Sequence, residues 1–300
     1  MRAVYHLFRD AITAYLNDRS AIYAAGLAYY AVFAIAPLLL LVGSIASILV
    51  GRALATAQIL QGIEYFVGPE LARYLADIVN AVSRNTFSSG GTVVSIVGMV
   101  LGGVGIVTQL DLALNYMWGL EKAEAKTWRE RLALARHRLA PFLVVLFLGL
   151  VLGFGVLLNT RVLSLTAQLA QQFPALAGYE PRASLFFVPA LVFLAFLAIY
   201  KWLPDARSRW RDVAVGAAVT TVIFLVGTSV LTLYLQITDS VSLFGAASSI
   251  IVLLIWIDVS AHITLFGAEF TKLYANRYGQ PIIPDPLTAF IDEAPVTPDP

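Results

Sequence analysis

The chain has 300 residues, of which 59% are hydrophobic and 13% charged, with a mean hydropathy of +0.79 and a net charge of +1. Soluble domains carry roughly 25% charged residues, so this composition excludes an ordinary water-soluble globule and defines a membrane protein. There is no cysteine and there are three histidines. Disulfides, thiolate metal sites and cysteine nucleophiles are therefore excluded, and no metal or other cofactor is expected.

Residues 1–25 read as an amphipathic cytoplasmic or interfacial helix, because Val4, Tyr5, Phe8, Ile12, Tyr15 and Leu16 recur at helical spacing. Arg2, Arg9, Asp10, Asp18 and Arg19 interrupt any signal-peptide core, so the first span is expected to serve as an uncleaved anchor. That span, 26–50, carries Pro37 near its middle, which predicts a kink. An external excursion over 53–85 repeats apolar residues every three or four positions and breaks at Gly68-Pro69.

The second span, 92–118, contains Gly98, Gly102, Gly103 and Gly105, a pattern that lets helix backbones approach closely. It ends in Gln109, Asp111 and Asn115. Further spans are predicted at 139–158, 184–203, 213–235 and 244–272, the fifth with Gly216, Ala217 and Thr220 as a packing face. Residues 279–300 are rich in proline and acid, which predicts a disordered tail. The fold class expected is an all-α integral membrane protein. It is a bundle of six transmembrane helices in a domain spanning 26–278, with amphipathic helices at the N-terminus and in the first external loop.

Lysine and arginine placement orients the bundle. Fifteen of the 20 basic residues fall on the side of the termini, which places both termini of a multi-pass protein in the cytoplasm. At ~1.5 Å per residue, Asp111 then lies roughly 28 Å down its span, Asp258 roughly 20 Å and His262 roughly 27 Å, in a core about 30 Å thick. Asp111, Asn115, Lys201, His262 and Glu269 thus gather in the inner third, with Asp258 deepest. Ionisable groups at such depth mark a pathway or a structural pair. Asp258 and His262, four apart on one helix face, are the candidate proton-coupling or structural pair. Tyr29, Tyr30, Trp118 and Trp202 at span ends read as interface anchors.

Two stretches carry a family resemblance: AAGLAYYAVFAIAPLLLL (24–41), and YKWLPDARSRWRDVAVGA (200–217) followed by LFGAASSIIVLLIWIDVSAHITLFGAEF (243–270). In this order they resemble the YihY/BrkB family of bacterial inner-membrane proteins over all but the proline-rich tail. The resemblance implies six spans with both termini inside. Asp258 departs from it, standing where an aromatic residue such as tyrosine is expected.

Members of that family are often labelled virulence factor or ribonuclease BN, and lipid or lipopolysaccharide-precursor handling has also been suggested. A hydrolytic ribonuclease needs metal-binding carboxylates or a histidine acid–base pair beside a groove for RNA. The loop acids Glu121, Glu124, Glu130, Asp205 and Asp212 are instead interleaved with bases and read as a charged amphipathic surface.

The expected function is therefore non-enzymatic, with no catalytic residues and no nucleic-acid partner. The protein would bind or transport an amphipathic anionic substrate, such as a lipid or lipid-linked envelope precursor, with membrane lipids as partners. The alternatives are a structural protein docking an envelope partner at 53–85 and, behind it, the tRNA-processing ribonuclease of the label.

Overall fold

The computed structural model describes residues 2–18, 20–34, 89–122, 180–237, 248–285 and 288–290. They are mostly helical: α1 (Arg2–Asn17), α2 (Ser20–Ala34), α3 (Ser89–Met117), α4 (Glu180–Trp202), α5 (Trp210–Ile237) and α6 (Ser248–Tyr278). Two short antiparallel pairs join them. β1 (Leu120–Lys122) pairs with β4 (Thr288–Phe290), and β2 (Ala206–Arg207) with β3 (Ile283–Pro284). Pro37, the excursion 53–85 and the predicted span 139–158 lie outside the described residues.

Among the described residues, two helices are long and apolar enough to cross a membrane, in α5 over Trp210–Tyr234 and in α6 over Ile251–Tyr278, with mean hydropathies of 2.1 and 1.9. At ~1.5 Å per residue α6 measures about 46 Å, more than the hydrocarbon thickness, so its polar end projects beyond that layer. α5 and α6 pack through reciprocal glycine sites. A side chain on Gly216 of α5 would collide with Thr271 of α6, and one on Gly267 of α6 would collide with Thr220 of α5 and the Tyr200 hydroxyl. The packing face predicted from Gly216, Ala217 and Thr220 is thus in use.

The helix ends follow from local chemistry. α3 stops at Gly119, whose φ of +72° is a left-handed conformation that suits glycine and returns its N–H to Tyr116. Asp212 sits in the first turn of α5, where a carboxylate complements the helix dipole. α6 ends before Gly279, with Pro281 two residues beyond. α4 continues through Pro189, which has no N–H to give the preceding turn.

The described tail corrects the expectation for 279–300. Residues 279–285 and 288–290 are ordered, because buried acids and strand partners take their backbone groups. Asp212 accepts the Gln280 N–H at 3.0 Å, and the Asp205 carbonyl accepts the Asp285 N–H at 3.0 Å and the Thr288 hydroxyl at 2.9 Å. Low apolar content does not prevent order when the backbone is paired this way.

Candidate functional site

The core centres on Trp118, Tyr200, Leu114, Met117, Leu203 and Leu265, all essentially without solvent contact. Trp118 corrects its reading as an interface anchor. Its indole N–H donates to the Ala268 carbonyl at 3.1 Å across α3 and α6, so the ring is locked inside. Trp202 and Tyr29 are exposed.

The predicted polar residues separate into three groups. In the first, Asn115 Nδ2 donates to Asp111 at 2.9 Å and to Asp205 at 3.1 Å, while its carbonyl oxygen accepts the Asp205 N–H at 2.8 Å. All three residues are buried. Asp205 and Asp212 were expected on a charged surface, and both are buried instead, because turning inward lets the Asp205 carboxylate accept from the Asn115 amide and that of Asp212 accept from the Gln280 N–H.

The second group closes the end of α3. Lys272 Nζ donates to the Met117 carbonyl at 2.5 Å, pairs with Glu269 at 2.9 Å and lies 3.9 Å from Asp18. A cation there satisfies a terminal carbonyl and the negative end of the dipole. Glu269 is 1% exposed, and its Oε2 has no hydrogen-bond partner among the described residues.

The third group is the i, i+4 pair. His262 Nε2 lies 3.5 Å from Asp258 Oδ2, with the side chains 37% and 42% exposed. His262 Nδ1 is hydrogen-bonded to the Tyr15 hydroxyl of α1, a partner that sequence reasoning counted only as an apolar helix position. Burial, followed by the charge of Asp258, pushes the Tyr15 phenol up to about 12.

Lys201 joins none of these groups. Its ammonium donates to the Ser208 carbonyl and lies 5.3 Å from the Trp210 ring centre. Trp202 and Trp210 meet edge to face at 5.8 Å, each half exposed, and Arg207, Arg209 and Arg211 are exposed around them. Arg207 lies 3.4 Å from Asp285, whereas Arg209 and Arg211 form no ion pair among the described residues. The result is a cationic, aromatic surface at the junction of α4 and α5.

Long apolar helices, buried interhelical polar links and this surface define a helical integral membrane protein. The family model described as "Virulence factor BrkB" matches residues 11–289, and the chain belongs to that family. The match takes in the first eleven residues of the tail that the motif resemblance left out.

Relatives described as UPF0761 membrane proteins include one from Alteromonas mediterranea, 26% identical, with 85% of this chain and 83% of the relative aligned. One from Glaesserella parasuis is 24% identical over 73% of each chain. One from Pseudomonas aeruginosa is 27% identical over 85% of this chain and 59% of its own length. No solved structure matches the chain.

Proposed function

We propose that this protein is a non-enzymatic, multi-pass inner-membrane protein that binds an amphipathic anionic molecule, of the lipid or lipid-linked precursor class, and moves it across the bilayer. Both termini would face the cytoplasm. The observation that carries the reading is the surface of Lys201, Trp202, Arg207, Arg209, Trp210 and Arg211, which combines exposed cations with two exposed indoles. Cations attract phosphate, and indoles favour the headgroup layer. The carboxylates beside it are engaged, Asp205 with the Asn115 amide and Asp212 with the Gln280 N–H, which supports a binding role over hydrolysis.

The test is binding of short-chain anionic and zwitterionic phospholipids to purified protein, followed by redistribution of a labelled anionic lipid in proteoliposomes. Each basic side chain near an anionic surface contributes about 1 kcal/mol. Replacing Arg207, Arg209 and Arg211 together by Gln should therefore weaken anionic binding about 100-fold. Equal affinity for both lipid types, or no redistribution, would sink the proposal.

A further inference from the structure

We infer that Tyr15, His262 and Asp258 form a proton-binding latch, in which protonation of His262 changes how α1 is held on α6. This does not depend on the identity of any transported molecule. Both ring nitrogens of His262 are engaged, Nδ1 by a group on α1 and Nε2 by a group one turn back on α6.

In the neutral ring one nitrogen donates and the other accepts. The Asp258 carboxylate can only accept, so Nε2 carries the hydrogen and Nδ1 accepts from the Tyr15 O–H. The phenol keeps its proton throughout the physiological range, so it is the donor in this state. Adding a proton makes both ring nitrogens donors. The phenol must then reverse from donor to acceptor. Its own O–H then loses the acceptor it had, since Tyr15 Oη has no other partner among the described residues. The electrostatic change on α6 is thus delivered to α1.

The surrounding charges are accounted for separately. On α6, Glu269 and Lys272 lie further along and pair with each other, and Lys272 also faces Asp18 of α1. Asp10 of α1 pairs with Arg277 of α6 at 3.0 Å and with Arg9 at 3.4 Å. Asp111 of α3 is bonded to Asn115, and Asp212 of α5 holds Gln280. Among the described residues, only Tyr15 and Asp258 are within hydrogen-bond or ion-pair reach of His262. Beyond the latch, α1 is held by the Asp10 and Asp18 ion pairs to α6 and by apolar contacts of Leu7, Phe8 and Ala11 with Phe270 and its neighbours.

The chain has no cysteine of its own, so paired spin labels can be placed without background. Labels at Asn17→Cys on α1 and Val226→Cys on α5, both exposed, report the position of α1 in full-length protein in nanodiscs. The distance distribution should shift between pH 8 and pH 5, and His262→Gln should abolish the shift. A wild-type distribution that ignores pH, or a shift that survives His262→Gln, would each overturn the proposal.

Discussion

Asn115 shows how one neutral side chain organises two acids. Its amide gives hydrogen to Asp111 and Asp205 and takes the Asp205 N–H in return. Removing a buried donor in this way costs about 1–3 kcal/mol. Asn115→Ala should therefore lower the melting temperature in detergent, whereas replacing exposed Asn17 by Ala should change it little.

Tyr15 offers a second residue-scale test. Its folded-state value of about 12 lies above the ordinary 10, so its stabilising contribution is complete below pH 10 and lost as pH rises towards 12. The ultraviolet difference titration of wild type against Tyr15→Phe should have its midpoint near 12. A midpoint near 10 would mean that the phenol is neither buried nor beside Asp258. The spacing of Asp258 and His262 was legible in the sequence because both lie on one helix. Tyr15 was not, because 247 positions separate it from His262 and nothing local links them.

Among the elements, α5 and α6 are held by glycine sites of unequal strictness. A methyl on Gly267 would meet Thr220 and the Tyr200 hydroxyl, which are bonded to each other at 3.2 Å and cannot easily move. On Gly227 it would meet only the flexible tip of Ile263. Gly267→Ala should cost about 1–3 kcal/mol and Gly227→Ala markedly less, as read from thermal unfolding of the two variants. The small-residue pattern announced close helix approach, but it did not say which glycine faces a rigid neighbour. Trp118 makes the same point, since a tryptophan at a span end suits either an interface or a core. Its bond to Ala268 chooses the core.

In the whole molecule, the tail ties distant parts of the chain together. β3 closes on the α4–α5 loop, β4 on the strand after α3, and Asp205 and Asp212 clamp the segment between them. A chain ending at Tyr278 should lose thermal stability and expose the loop 203–209 to protease. Unchanged melting and cleavage would show that these bonds contribute nothing. If the termini are cytoplasmic, a cysteine at exposed Gln280 should react with a membrane-impermeant maleimide only in inside-out vesicles.

The sequence by itself determined the class of protein, the ends of α3 and α5 within about three residues, the i, i+4 pairing on α6 and family membership. Each of these depends on composition, on local periodicity or on short ordered motifs. Tertiary structure decided what the polar residues do. The inner-third cluster became a clamp around Asn115, a cap on α3 and a Tyr15–His262–Asp258 chain, while Lys201 turned to Ser208 and Trp210. The physical reason is that a buried polar group must find a partner, and in a helical bundle that partner sits on another helix at any sequence distance.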